Sequence, residues 1–488
     1  MVNNIYTCLL KFIIAVMIFV CTVFAQNTKI PLHPKDLKYD SLNWSVPTGE
    51  KYRTVLENGL RTYIASDSSL PLVKISGTVR YGSFFDPDDK VGMASLVGTL
   101  IRSGGTETIT SDSLDNILGQ KAISISFSIS DDMCNFKASF LSEYTDTSLA
   151  LLKQMLFNPA YEQKKIDQHK AILVESIKHR FNNPGPTLSF AYDKHMYQST
   201  KNSRFASEKT LTSITRDDLL KTHKKYFKSG NMILAVAGSF DRDTLIKKLE
   251  TLFPKSDKVT DTTFPVIQSK PALKSLVVNK NISQAYVRLG IPLFKRPHND
   301  YYPVIALNEI FGGGSFTSRL SSKVRSDEGL TYSIYSVAES NYAMQSTWYI
   351  TFFTKSETFS KATGIIYNEL DTLIKYGVTD KEVNDVKSVF LSELPSMFRS
   401  PFDIVSNYAM NEYNGRSPDH YKNYIDAIKK LSKADLDSVA RKYLVKENFS
   451  ITTVGDTGKI LKANDILFDL TKKQPQKVVD VNALNDMP

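Results

Sequence analysis

Two distant stretches of this chain run in the same register. "LTSITRDDLLKTHKKYFKSGNMILAVAG" ends at Gly238, and "IKKLSKADLDSVARKYLVKENFSITTVG" ends at Gly455. Leu219 matches Leu436, Tyr226 matches Tyr443, Asn231 matches Asn448, and each pair lies 217 positions apart. The same offset lays "IDQHKAILVESI" (166–177) over "VNDVKSVFLSEL" (383–394), pairing Ile166 with Val383 and Lys170 with Lys387. A spacing held without insertion over roughly 70 residues marks a duplicated structural unit. The 488 residues therefore divide into two similar domains in tandem, each of about 200 residues, rather than one large core.

Within each copy, strand patterns come first. "VKISGTVRYG" alternates through Val73, Ile75, Val79 and Tyr81, and "AISISFSIS" sets Ile123, Ile125, Phe127 and Ile129 against four serines. Period-two alternation predicts strands with one buried face, the habit of antiparallel sheets. Helices follow, with start signals at Thr379 to Glu382 and weaker ones at Thr215 to Asp218 and Ser432 to Asp435. The expected fold is α+β: two tandem homologous domains, each a mostly antiparallel sheet with helices packed on one face. The reading gives a signal peptide at 1–25, a first domain at 26–255, a linker at 256–275, a second domain at 276–470 and a loosely held tail at 471–488.

The first residues differ from the rest. "FIIAVMIFVCTVFA" is an apolar run too short to span a bilayer comfortably, with Val23 and Ala25 at the small-residue positions of a cleavage site. A secretory signal cut before Gln26 is expected, an uncleaved anchor being the alternative. The mature protein would then be periplasmic or extracellular, with no stable membrane insertion. Cys8 and Cys21 leave with the signal, so Cys134 stands alone and forms no internal disulfide. The net charge of +10 falls by one with Lys11, and its Lys and Arg are spread along the chain without a basic–aromatic cluster. Nucleic acid is not an expected partner, and the charge serves solubility.

"GMASLVGTL" (92–100) holds no ionisable side chain. Met93, Leu96, Val97 and Leu100 recur at helical spacing and define a core-facing side. The opposite side shows Ala94, Ser95, Gly98 and Thr99, although a glycine inside a helix costs about 1 kcal/mol relative to Ala. None of the seven histidines (33, 169, 179, 195, 223, 298, 420) lies in a His-x-x-x-His or His-x-x-Glu-His pattern. Glu175 and His179 are four apart on one predicted helix and read as a surface pair. Cys134, in a strand pattern, reads as an inert buried thiol. "GGGS" (312–315) lacks the Gly-Lys-Ser/Thr that a phosphate loop requires.

Taken together, the arrangement resembles the pitrilysin/insulinase family of zinc metallopeptidases, specifically its half-length, two-domain subunits. "LENGLRTYIASD", the Gly82–Ser83–Asp86 loop, "LLKQMLFNPAY" and "AILVESIKHRFNNP" carry the resemblance in the first domain. "IFGGGSFTSRLSSKVRSDEGLTYSIYS", similar to the C-terminal signature of the family, carries it in the second. "GMASLVGTL" falls where the family has its inverted zinc motif. In that motif two histidines four apart bind zinc, and the Glu between them accepts a proton from the metal-bound water. Here Ser95 and Thr99 stand at the histidine positions and Gly98 at the glutamate. Neutral hydroxyls are not ordinary zinc ligands and glycine is no base. Glu175 matches the third ligand and is left without companions. The resemblance implies no metal or other cofactor in this chain, no catalysis by it alone, and zinc in a partner subunit, although the family-level class is metalloendopeptidase.

The resemblance further implies that Arg325 and Tyr332 reach across a closed shell to hydrogen-bond the carbonyl of a peptide substrate, as a guanidinium and a phenol are able to do. Gly313, Gly314 and Ser318 to Leu320 would shape the adjoining loop. The function this implies is that of a non-catalytic subunit in a secreted heterodimeric zinc metallopeptidase. The expected partners are a zinc-bearing homologous subunit and unfolded peptides. A structural or peptide-binding shell without proteolysis is the alternative, and a zinc metalloendopeptidase with unorthodox ligands a third.

Overall fold

The computed structural model describes residues 44–256, 263–462 and 476–487, with His33, Asp36, Leu37 and Val259 besides. The expected signal segment 1–25 lies outside these residues. All elements named below belong to the compact unit Val46–Pro488.

Two six-stranded sheets organise it. The first runs β1 (Arg53–Val55), β2 (Arg61–Ser66), β3 (Leu72–Val79), β4 (Ser124–Ile129), β5 (Cys134–Leu141) and β6 (Met232–Gly238), in spatial order β1-β2-β6-β3-β5-β4. The second runs β7 (Ser275–Asn279), β8 (Gln284–Pro292), β9 (Ile334–Ala338), β10 (Thr347–Lys355), β11 (Ser450–Gly455) and β12 (Gln476–Asp480), in order β12-β7-β11-β8-β10-β9. Position for position, five strands of the two orders correspond: β2, β6, β3, β5 and β4 with β7, β11, β8, β10 and β9. Both sheets are mixed: β6 lies parallel to β2 and β11 parallel to β7, and the other inner pairings are antiparallel. The outermost strands break the symmetry. β1 folds back antiparallel on β2, whereas β12 returns from the chain end and lies parallel to β7. The tail expected to hang loose is therefore partly a sheet strand, because its Val-Val pair completes the edge beside β7 and buries Val479.

The 217-residue offset reappears in the helices. Helix Arg216–Tyr226 corresponds to Lys433–Tyr443, and both begin with the capping boxes read from sequence, Thr215 with Asp218 and Ser432 with Asp435. Thr379 caps Glu382 likewise. In each half the alternate strand residues face one helical layer. Val73, Ile75, Val79, Leu234 and Val236 share a core with Leu96, Val97, Leu100 and Ile101 of helix Met93–Ser103. Ala285, Val287 and Leu289 do the same with Leu307, Phe311 and Ile366.

The other face of each sheet is covered by one helix from the opposite half. Helix Pro184–Met196 packs on β11 and β8, bringing Leu188, Phe190 and Ala191 against Leu276, Val278 and Val454. Helix Pro401–Tyr413, 217 positions later, packs on β6 and β2. Proline at the first helical turn starts both, where a missing N–H costs nothing. The expected one-sided layering thus gains a reciprocal second cover.

Candidate functional site

Helix Met93–Ser103 begins at Gly92, whose φ of 106° is a left-handed conformation that glycine adopts without a steric penalty. The Asp86 carboxylate accepts hydrogen bonds from the amides of Gly92 and Ala94, each at 3.0 Å. Burial pushes that carboxyl up to about 7, against the pull of the two amides. Lys201 and Arg204 in turn donate to the Asp86 backbone carbonyl at 3.1 and 3.0 Å. The mounting of this helix is therefore intact.

Its working face is not. Ser95 and Thr99 are exposed one turn apart. Gly98, between them, is buried against edge strand β4, where an added Cβ would stand 3.0 Å from the Cβ of Ile129. The place of the family's glutamate is thus partly filled by a strand side chain. Glu175 lies on helix Gln163–Lys178 and accepts from Lys178 Nζ at 3.1 Å and pairs with His179 Nε2 at 2.9 Å. The Lys178 and His179 bonds lower its pKa, and all three side chains are more than half exposed. Among the described residues, no three His, Cys, Asp or Glu side chains stand close enough together to hold a metal ion. Two hydroxyls and an occupied carboxylate are a poor donor set for zinc. The residues at this locus do not fit the metal.

Several sequence readings can be placed directly. Cys134 is fully buried in β5, and burial pushes its thiol up to about 12, which leaves it unreactive. His195 and His223 are buried with two hydrogen-bond partners each. Neither sits in a ligand cluster.

In the second half, helix Tyr301–Asn308 continues into a wide π turn, Glu309–Gly313. Gly312 abuts edge strand β9, with an added Cβ only 2.5 Å from the Cβ of Ser336. The Gly314 amide donates to the Glu309 carbonyl at 2.8 Å, and the Ser318 amide to the Gly314 carbonyl at 2.9 Å, so the glycine loop is tightly turned. An added side chain at Gly313 would press on Asn308 Nδ2 at 2.6 Å. Arg319 clamps the loop through a forked pair with Glu382 at 2.7 and 2.8 Å. This partner lies 63 residues away in sequence, on helix Asp380–Glu393, so the loop's own residues do not disclose it.

Arg325 lies on a second π segment, Ser321–Asp327, with its guanidinium 4.3 Å from the centroid of Phe316. Tyr332 is 85% exposed and Phe316 67% exposed. Among the described residues, no carboxylate pairs with Arg325, and no hydrogen bond or ring contact joins Arg325 or Tyr332 to helix Met93–Ser103 or to Glu175. The structure thus gathers Arg325 and Phe316 near the glycine loop and leaves the degenerate zinc helix as a separate locus. Phe316 is the addition that the sequence pattern, read for polar donors, passed over.

Two similar sheets with helical covers, a capped helix beside an edge strand and a glycine-turned loop beside the other define a metallopeptidase scaffold from which the metal ligands are gone. Comparison with known families matches residues 61–206 to "Insulinase (Peptidase family M16)" and residues 213–390 to "Peptidase M16 inactive domain". The chain belongs to the insulinase family of M16 peptidases, as a two-domain member without the zinc motif. It is 22% identical over 397 residues to the "Non-peptidase homolog YmxG" of Helicobacter pylori, covering 80% of this chain and 90% of that protein. It is 25% identical over 420 residues to the "Uncharacterized zinc protease YmxG" of Bacillus subtilis, covering 84% and 99%. In fold it is similar to the crystal structure of a peptidase M16 inactive domain from Pseudomonas fluorescens, with a TM-score of 0.74, 21% identity, and 83% of this chain and 97% of that one covered.

Proposed function

We propose that the chain is the non-catalytic subunit of an exported heterodimeric zinc metallopeptidase. It would act in the periplasm or outside the cell and supply Arg325, Tyr332 and part of the chamber wall to a zinc-bearing homologue. The carrying observation is the asymmetry between the loci. Gly98 is crowded by Ile129, while Arg325 has a ring beneath it and, among the described residues, no carboxylate paired with it. A half-buried arginine that no carboxylate pairs among the described residues, seven positions before an exposed phenol, offers donors for the oxygen that gains charge when a peptide bond is attacked. Gly313 is exposed on the neighbouring loop, where an extended peptide can approach the backbone, and the buried Gly314 lets that loop turn tightly over Glu309.

The test is co-purification with an exported homologue that has an intact inverted zinc motif, followed by a peptide cleavage assay. The pair is expected to cleave and this chain alone to be inactive. Arg325→Ala with Tyr332→Phe is expected to lower kcat/KM by about 10²-fold or more, since losing an oxyanion donor costs that much elsewhere. Chelator-sensitive cleavage by this chain alone would overturn the division of labour. Full turnover by the doubly substituted pair would assign the chain to a structural shell instead.

A further inference from the structure

A cavity of about 570 Å³ opens where Arg80, residues 263–264, residues 295–297 and the end of helix Pro401–Tyr413 meet. Arg80, Lys295 and Arg296 supply its cationic wall, and Phe264, Tyr342 and Tyr413 its aromatic one. Arg296 is only 7% exposed. Its guanidinium is covered by two rings, 3.5 Å from the centroid of Tyr301 and 4.5 Å from that of Tyr342. Among the described residues, no hydrogen bond or ion pair engages it. A buried charge is ordinarily paired, because removing it from water costs several kcal/mol that stacking on rings offsets only in part. The two rings accept none of its hydrogen bonds, so its N–H groups, which can fork onto a planar acceptor, stay without a protein partner among the described residues.

The neighbouring charges narrow the choice of ligand. Arg80 is held by its bond to the Tyr413 carbonyl at 2.8 Å and by the rings of Phe264 and Tyr413. The two acids in the wall are turned elsewhere: Glu412 accepts from Arg53 and Tyr63, and Asp132 from Ser130. These resident carboxylates disfavour a dianion more than a monoanion, since like charges repel strongly at short range in a partly buried site. Three aromatic rings beside the cations suit an apolar side chain attached to the anion.

We propose that this cavity binds the carboxylate of a peptide, from its C-terminus or an acidic side chain, as a forked pair with Arg296, with Lys295 drawing it in from solvent. The site needs no zinc-bearing partner and is independent of Arg325 and Tyr332.

The purified chain is titrated calorimetrically with three tripeptides: an apolar free acid, its C-terminal amide, and the same amide with one apolar residue replaced by Glu. The free acid or the Glu peptide is expected to bind at least about tenfold more tightly than the carboxylate-free amide. Which of them does so identifies the source of the carboxylate. Arg296→Gln is expected to abolish that preference. Arg296→Lys keeps the charge but loses the fork and is expected to weaken it by about three- to tenfold. Thermal melting checks that each variant is folded, and the acid–amide contrast on the unaltered chain decides the matter if Arg296→Gln is not. Equal binding of all three peptides, an unchanged preference in Arg296→Gln, or displacement of the free acid by lower concentrations of orthophosphate than of acid peptide would overturn the assignment.

Discussion

Helices Pro184–Met196 and Pro401–Tyr413 occupy equivalent places in the two halves and hold them by opposite chemistry. His195 stands 217 positions before Glu412, near the end of its helix. The His195 ring pairs with Thr452 Oγ1 at 2.8 Å and donates from Nε2 to the Leu273 carbonyl at 2.9 Å. Burial lowers its pKa to about 4, so the ring is neutral. Burial would push the Glu412 carboxyl up, but bonds from Arg53 and Tyr63 outweigh it and hold it below its ordinary value. A polar anchor stands where each helix meets the other half's sheet, a neutral ring in one case and an ion pair in the other.

The comparison is sharpest where one anchor is removed. Glu412→Ala leaves Arg53, Arg61 and Tyr63 facing a missing acceptor and is expected to cost about 3 kcal/mol in urea unfolding. His195→Ala, which strands one hydroxyl and one carbonyl, is expected to cost less, about 2 kcal/mol. The reverse ranking would break the contrast between charged and neutral anchors.

The next effect separates the two edge helices. Gly312→Ala drives a Cβ into the Ser336 side chain and backbone, at 2.5 and 2.8 Å, and is expected to cost about 2 kcal/mol. Gly98→Ala meets Ile129 at 3.0 Å, and a gain of about 1 kcal/mol in helix propensity offsets the crowding. Its net change is expected to stay within about 1 kcal/mol. Melting temperatures of the two variants decide the order.

Acidification distinguishes the anchors most finely. Unfolded histidine takes up a proton near pH 6.5, whereas His195 in the fold does so only near 4. Its contribution is therefore complete above about pH 6.5 and is lost as pH falls towards 4, amounting to about 1–2 kcal/mol by pH 5. His223 and His420, also lowered to about 4 by burial, act in the same direction. The Glu412 pairing, with its lowered carboxyl, is lost only below the ordinary carboxylate range. Melting curves between pH 7.5 and 5 should fall less steeply for His195→Gln than for the unaltered chain, and equal slopes would remove His195 from the account.

What could be read from sequence was local. Capping boxes span three residues and repeat at a fixed offset, so Thr215, Thr379 and Ser432 declared their helices. The serines of β4 alternate with Ile125 and Phe127 because an edge strand keeps one wet face. Neutral residues at 95, 98 and 99 disclosed the missing ligands without coordinates. The exchange of helices was not legible, because nothing within "PGPTLSFAYDKHM" states which sheet it will cover. The filling of the Gly98 gap by Ile129 and the ring stack on Arg296 also depend on distant residues. β12 escaped because its burial comes from β7, some 200 positions earlier.

The reciprocal helices have a consequence for how such a chain arose. A single copy of the unit would leave one sheet face bare, with its own helix reaching for a surface it does not possess. Two such copies satisfy each other by trading that segment, which is a closed twofold arrangement. Joining them end to end converts a dimer's exchange into an internal one. In the joined chain each half covers its neighbour's sheet whether or not it carries chemistry of its own.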